Sequence, residues 1–264
     1  MSKLHEAFDR AASENRAALI AYLPAGFPTV EQGYDLIRAI VDGGADIVEV
    51  GWPYSDPLMD GPTIQRAAEL ALENGATSAD VLNTVAVVAD AGAVPLVMSY
   101  WNPIERFGVD EFAQSLAAAG GVGVITPDLT PEEAGEWIAA TDANAVDRIF
   151  LVAPSSREDR LHTVTDVTSG FVYAASLMGV TGTGGAVSST AETLVARTRA
   201  VTNLPIAVGL GVSTAAQAHD VAQFADGVIV GSAFVKAALE AASHEEAVIA
   251  VRELARDLKA GVSR

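Results

Sequence analysis

The sequence predicts an α/β fold in which strand–helix units close into a (β/α)8 barrel, and three observations predict it. Eight apolar runs rich in Val and Ile, each too short for a helix, recur along the 264 residues. Ala-rich amphipathic stretches lie between them, with apolar residues at helical spacing. Eight such units in about 250 residues is the arithmetic of a TIM barrel. Strands that alternate with helices pair in parallel, and near-continuous apolar strands are buried on both faces. An open doubly wound sheet is the structural alternative. No Pro/Ser-rich linker, low-complexity tract or shift in composition marks a boundary, so the chain reads as a single domain over 1–264.

The elements follow in order. The first dozen residues form a short extra helix before the first strand, placed to close the bottom of the barrel. Strands are expected at ALIAYL (18–23), DIVEV (46–50), PLVMSY (95–100), VGVIT (122–126), RIFLVA (148–153), FVYAAS (171–176), PIAVG (205–209) and DGVIV (226–230). Helices are expected over 31–44, 78–92, 110–121, 131–143 and 213–225, with further starts at Thr63 and at Ser232 or Ala233. Several end in Gly just before the next strand, as at Gly43-Gly44, Gly92 and Gly120-Gly121, which is the C-terminal helix signal.

Composition narrows the function. With 34 Asp plus Glu against 16 Lys plus Arg, the formal charge is −18. There is no basic run to neutralise a nucleic-acid backbone, and the field repels an anionic membrane surface. A phosphorylated ligand would need a strong local site. Cysteine is absent, which removes disulfides, thiolate nucleophiles and Cys-based metal sites. The four histidines are scattered, with no HExxH or His-x-His spacing, so no metal site is expected. No apolar run approaches the roughly 20 residues that span a bilayer. Charges fill the place where a signal peptide would be apolar, and the expected location is cytoplasmic.

In such a barrel the chemistry belongs at the C-terminal ends of the strands. Most of these ends are bland, but the second is not. Glu49 stands inside Ile-Val-Glu-Val-Gly, where a carboxylate is expensive unless paired, protonated or used. Burial would raise its pKa toward that of a proton donor and acceptor near neutral pH. The following loop, punctuated by Pro53, Pro57, Gly61 and Pro62, supplies Asp56 and Asp60. The structural alternative is a Glu49 paired with a basic group, with Asp56 and Asp60 as turn or cap residues. Glycine-bearing segments follow strands six, seven and eight, at 179–185, 209–214 and 231–239. Glycines that let backbone N–H groups approach an anion, with a helix starting at Ser232, predict a phosphate site made of main-chain amides.

Beyond single residues, Glu49-Val-Gly-Trp-Pro-Tyr-Ser-Asp-Pro-Leu-Met-Asp-Gly-Pro closely resembles the signature of the tryptophan synthase α subunit family. In that family a Glu at a strand end precedes P-x-S-D-P-x-A-D-G-P. Tyr100-Trp101-Asn102-Pro103, DLTPEE (128–133), VAPSS (152–156), Gly179-Val-Thr-Gly182, Gly209-Leu-Gly211 and DGVIVGSA (226–233) match further segments of the family. The resemblance covers essentially the whole chain in order.

It implies retro-aldol cleavage of indole-3-glycerol phosphate to indole and glyceraldehyde 3-phosphate, with no cofactor in this subunit. Glu49 would carry the proton transfers, Asp60 would bind the indole N–H and stabilise the charge that develops there, and Tyr173 would assist. Tyr22, Tyr100 and Ile125 would belong to the indole pocket, although barrel core is the simpler reading of each. Thr181 would lie in a loop closing over substrate, and Gly182, Gly211, Gly231 and Ser232 would hold phosphate. The resemblance also implies a partner, a PLP-dependent β subunit in an αββα assembly that receives the indole. Asp56, Pro57, Asn102, Pro103 and Asp128 match positions of that contact, where turn chemistry is the plain alternative.

The chain departs from the family at Trp52 and Met59, which are bulkier than usual. At Gly184-Gly185 charged residues are common in relatives, and at Leu210 Phe is frequent. The double glycine suggests a looser lid. Rival readings are a stand-alone indole-3-glycerol-phosphate lyase, a non-catalytic activator of a β subunit, and another phosphate-binding barrel enzyme such as a sugar-phosphate epimerase or a thiamin phosphate synthase. These last lack the S-D-P-x-x-D-G-P loop.

Overall fold

The computed structural model describes residues 2–176, 184–209 and 211–264. The chain begins with α1 (Lys3–Ser13), whose N-cap Ser2 accepts the His5 N–H. Then come β1 (Ala18–Pro24), α2 (Val30–Asp42), β2 (Ile47–Gly51), α3 (Pro62–Glu73), α4 (Ser78–Ala91) and β3 (Val94–Met98). The middle of the chain forms α5 (Trp101–Phe107), α6 (Val109–Ala118), β4 (Gly123–Ile125), α7 (Gly135–Asn144), β5 (Asp147–Ile149), β6 (Leu151–Val152), α8 (Glu158–Val167) and β7 (Val172–Ala175). The last third contributes α9 (Gly184–Arg199), β8 (Ile206–Gly209), α10 (Ala215–Ala222), β9 (Gly227–Val230), α11 (Ser232–Glu240) and α12 (His244–Gly261).

All strand pairings are parallel, in the order β5-β4-β3-β2-β1-β9-β8-β7-β6. The two ends of this ribbon, β5 and β6, are consecutive in sequence and flank Phe150. The sheet therefore curls into a nearly closed barrel. The expected fifth strand, over 148–153, is two strands, giving nine among the described residues. The division falls where the pairing changes sides: the Ile149 carbonyl receives the Thr126 N–H beyond β4, and the Phe150 carbonyl receives the Tyr173 N–H of β7. An apolar run carries no trace of that change of neighbour.

Two apolar layers hold the barrel. Outside, the outward residues of the strands pack against the helices, as Val48 and Val50 of β2 do. Inside, Ile20, Ile47, Leu96, Ile125, Ile149 and Ile229 fill the lower barrel. Beneath them α1 lays Leu4, Ala7, Phe8 and Ala11, one face of a helix at i, i+3, i+4, i+7 spacing, with the Phe8 ring 5.5 Å from that of Phe171. The expected bottom-closing helix is thus present. With the base sealed, ligand access is left to the other end.

Some boundaries differ from expectation. The helix expected from residue 131 starts at Gly135, because 128–134 is a run of turns in which Glu133 N–H bonds the Thr130 carbonyl. Gly184 and Gly185, expected in a loop, open α9, whose buried stripe of Ala191, Leu194, Val195 and Thr198 propagates the helix across them. No helix among the described residues is long and apolar enough to cross a membrane.

Below the barrel mouth a buried ion cluster ties the chain ends to the first two strands. Asp46, just before β2, accepts Arg16 Nη1 and Nη2 at 2.7 and 2.9 Å, Lys259 Nζ of α12 at 2.9 Å, and the Leu19 N–H at 2.9 Å. Asp226, before β9, repeats the device at lower cost, since it stays partly exposed while bonding Ile206 N–H and Arg199.

Candidate active site

The C-terminal ends of β1, β2, β3, β7, β8 and β9 surround a cavity of about 300 Å³. Alternation along the strands decides which side chains reach it. In β2, Val48 and Val50 face the helices, so Glu49 faces the barrel axis, in register with Tyr22 of β1 and Leu96 of β3. Glu49 is 1% exposed and its Oε1 has no hydrogen-bond partner. The sequence left three choices for this carboxylate, and the absence of a cation beside it among the described residues removes pairing. Burial alone pushes its pKa up to about 8. At neutral pH it is therefore a carboxylic acid that can give a proton and take one back.

Asp60 enters from the loop between β2 and α3. The N-cap of α3 is Gly61, with Pro62 at the first helical position, so Asp60 does not cap the helix. It lines the cavity instead. Its pKa is raised by burial, and a hydrogen bond from Tyr100 works against that rise and favours the ionised form. The Tyr100 hydroxyl also accepts the Met59 N–H at 2.9 Å, while Gln65 Nε2 donates to the Asp60 carbonyl at 2.8 Å. The loop is thereby pinned on both sides of Asp60. Two carboxylates with different surroundings face one cavity, one raised by unopposed burial and the other with that rise opposed by Tyr100.

Tyr22 and Tyr173 complete the polar wall. Burial raises both phenols well above their usual range; Asp60 and then Glu49 add to the effect on Tyr22, and Glu49 adds to that on Tyr173. Both rings exist in these positions because the adjacent strand carries glycine. An added Cβ at Gly51 would lie 2.4 Å from the Tyr22 hydroxyl, and one at Gly209 would lie 2.4 Å from that of Tyr173.

Across the cavity are Gly211, with φ +76, and Gly231 and Ser232 at the start of α11. No side chain caps α11; the Phe234 N–H bonds the Gly231 carbonyl at 3.0 Å, which leaves the N–H groups of Ser232 and Ala233 without an acceptor within the helix. Among the described residues the cavity wall contains no Lys, Arg or His. Any anion here would meet main-chain amides and a helix N-terminus.

The structure thus brings Tyr22, Glu49, Asp60, Tyr173, Gly211, Gly231 and Ser232 to one cavity, with Tyr100 just behind Asp60. Ile125 is fully buried in the inner layer with Leu96 and Ile149 and is absent from the cavity wall. Thr181 and Gly182 lie outside the described residues, as does Leu210. The wall also holds Met98, Ile64, Ile229 and Ser176, which were not singled out from sequence. For Ile229 and Met98 a signal was available, since each is the last inward position of its strand.

Beside the mouth, a larger groove of about 500 Å³ is lined by Trp52, Tyr54, Asp56, Asn102, Pro103 and Arg106, among others. Asp56 and Pro57 also edge a smaller hollow next to it. Asn102 Nδ2 donates to the Tyr54 hydroxyl at 2.9 Å, and the Tyr54 and Tyr100 rings lie 5.5 Å apart. Asp128 Oδ1 accepts the Trp101 N–H at 2.9 Å, fixing the start of α5; burial raises its pKa against that bond. The bulk of Trp52 is taken up between Phe107 and Phe112, at 6.0 and 5.1 Å. Leu58 and Met59, at the tip of the same loop, are 80% and 55% exposed.

The sequence profile described as Tryptophan synthase alpha chain matches residues 8–263. The tryptophan synthase alpha chain of Thermobifida fusca is 58% identical over 265 residues, covering 99% of this chain and 98% of that protein. That of Streptomyces coelicolor is 56% identical, over 98% and 96%. Among solved structures, Mycobacterium tuberculosis tryptophan synthase superposes with a TM-score of 0.93 at 52% identity, covering 100% of this chain and 99% of that one. The alpha subunit of Legionella pneumophila does so at 0.90 and 31%, over 99% and 98%.

Proposed function

Since the chain belongs to the tryptophan synthase alpha chain family, whose members cleave indole-3-glycerol phosphate, we propose that Glu49 and Asp60 divide that chemistry between them. The observation that carries the assignment is the unpaired, buried Glu49 carboxyl, poised near pH 8 in a cavity that also holds Asp60. Protonated Glu49 delivers its proton to carbon 3 of the indole ring, which becomes an indolenine cation. Asp60, as a carboxylate, hydrogen-bonds the ring N–H and stabilises the positive charge that appears there. The Glu49 carboxylate then takes the proton of the adjacent glycerol hydroxyl. The carbon–carbon bond breaks, its electrons return to the ring, and indole leaves beside glyceraldehyde 3-phosphate. Glu49 ends protonated, as it began, so the cycle closes without a cofactor in this chain.

Tyr22 and Tyr100 frame the indole, and Tyr173 assists next to Glu49. Gly211, Gly231 and Ser232 receive the phosphate, together with Gly182 by family resemblance. This reading is supported by a wall without cations among the described residues and by the α11 N-terminus, which no side chain caps. A closing loop at Thr181 and an indole contact from Ile125 rest on the resemblance alone.

The family implies a β-subunit partner. We place its contact on the groove beside the mouth, through Asp56, Pro57, Asn102, Pro103 and Asp128, in an αββα assembly whose β subunits carry PLP and use the indole, in the cytoplasm. The groove is joined to the site by the Asn102–Tyr54 bond and by Tyr100 behind Asp60. The test is indole release from indole-3-glycerol phosphate, by the isolated chain and with a β subunit added. The expected result is slow release alone and at least tenfold stimulation by the partner. Release unchanged by the partner would favour a stand-alone lyase, and none under either condition would sink the enzymatic reading.

The glycine at position 209 gives a separate check. Gly209→Ala puts a methyl group where the Tyr173 hydroxyl lies, so the ring must swing toward Glu49 or out of the cavity. A displacement near 1 Å is expected to lower kcat/KM roughly 10- to 100-fold while the chain stays folded, read by steady-state kinetics beside circular dichroism. Unaltered kinetics would show that Tyr173 need not hold its place.

A further inference from the structure

We infer that Ser176 is a further substrate-binding residue of this cavity, its hydroxyl bonding an oxygen of the glycerol phosphate chain; the inference rests on the placement of the lyase site argued above. Ser176 follows the last residue of β7, and its N–H donates to the Gly209 carbonyl at 3.1 Å. That bond fixes it against the end of β8, on a wall it shares with Tyr173, Gly209 and Gly211. It contributes to the cavity wall and is 4% exposed. Among the described residues its Oγ has no hydrogen-bond partner.

An orphaned hydroxyl is out of character for this protein. The buried hydroxyls of Thr84, Ser99, Thr141, Thr165, Thr168 and Thr198 each donate to a nearby backbone carbonyl. Thr126 shares the lack of a partner but does not line the cavity. A buried hydroxyl without a partner destabilises the chain relative to alanine, so Ser176 is held at a cost that none of the described residues recovers. A ligand with an oxygen at this point recovers it.

The substrate supplies such an oxygen. Its indole must reach Glu49 and Asp60, and its phosphate must reach Gly211, Gly231 and Ser232. The three-carbon chain therefore runs past Tyr173 and Gly209, where Ser176 stands. A serine hydroxyl can donate to a phosphate oxygen or exchange a hydrogen bond with a glycerol hydroxyl. In a wall without cations, each neutral donor carries more of the recognition.

The test is Ser176→Ala, with Ser176→Cys as a second variant that keeps the size and weakens the donor. Four quantities are read: KM and kcat for indole-3-glycerol phosphate, competitive inhibition by glycerol 3-phosphate, and inhibition by indole. In both variants glycerol 3-phosphate is expected to bind roughly tenfold more weakly. The loss in kcat/KM should come chiefly through KM. Indole, which lacks the chain, should inhibit as before, and Tm should be unchanged or higher. A Tm drop accompanied by equal loss for both inhibitors would mean a structural role and overturn the inference. Unaltered glycerol 3-phosphate affinity in variants of a wild type that it inhibits would overturn Ser176 alone. A wild type that glycerol 3-phosphate does not inhibit competitively would overturn the site reading and the inference with it.

Discussion

Replacing Glu49 with Gln is expected to lower indole formation by roughly 10²- to 10⁴-fold, because the same carboxyl must both give and accept a proton and an amide does neither. The substitution is nearly isosteric and keeps a neutral group in a site where no cation waits for a charge. Folding should therefore not suffer. The variant's advantage over the wild type should grow with pH, and the sign follows from linkage. Glu49 in the folded chain holds its proton up to about pH 8, whereas an unfolded glutamic acid releases it near its ordinary value of 4.5. Over that interval the unfolded state of the wild type is progressively favoured, so wild-type stability falls as pH rises. The Gln variant lacks this loss. Urea midpoints of the two proteins should lie close together near pH 4.5 and separate in favour of the variant up to pH 8. The wild-type kcat/KM should also decline above about pH 8, where the proton needed for the first step is lost. Indole release by Glu49→Gln at the wild-type rate would refute the acid–base assignment, and a constant gap in urea midpoints would refute the raised pKa.

The second large effect is expected at Asp46, far from the chemistry. Burial pushes this carboxyl up, but Arg16, Lys259 and the Leu19 N–H together hold it below its ordinary value. Arg16 is itself 6% exposed, so removing the Asp46 charge leaves a buried guanidinium with only Glu14 and a carbonyl for company. Burial already holds Lys259 below its usual value despite the pair with Asp46. Its ammonium is thus the weaker member of the cluster, and Arg16 the group most exposed to the loss. Asp46→Asn should cost about 3–5 kcal/mol, the range for breaking one side of a buried ion pair. The pH dependence has the opposite sign to that of Glu49. With its folded pKa depressed, Asp46 contributes stability that is present above about 3.8 and is lost as pH falls through the folded value. The acid-induced drop in urea midpoint should be shallower in the variant than in the wild type. A variant as stable as the wild type at pH 7 would show that Arg16 and Lys259 find other partners.

Sequence and structure agree where local chemistry decides, and part where distant residues meet. The run Ile-Val-Glu-Val-Gly was legible because period-two alternation and a lone carboxylate are both local signals, and so was α11 behind Gly231. The break at Phe150 was not, because it reflects which neighbour the backbone bonds, β4 before it and β7 after it. The fate of Asp60 was ambiguous in sequence, where an Asp before a helix reads equally as a cap, until Gly61 took the cap. Asp46 gave no warning at all. Its partners Arg16 and Lys259 are 30 and 213 residues away, a distance no motif spans. Ser176 was hidden for a different reason, since a serine at a strand end is common and only the absence of a partner singles it out. For the two bulky departures the outcome is now concrete. Trp52 joins an aromatic cluster with Phe107 and Phe112, and Met59 reaches the cavity wall while its backbone is held by Tyr100.

The helix that seals the base of the barrel sets an order in time. Its apolar face, Leu4, Ala7, Phe8 and Ala11, rests on Ile149, Phe171 and Ile229, which are synthesised long after it. As the chain leaves the ribosome, α1 emerges ahead of the strands that form its socket and has nowhere to dock until they have appeared and curled together. An element made before its socket is therefore among the last to find its place. During that interval a helix with one greasy side is open to the cell, and a holding chaperone has a clear target in α1.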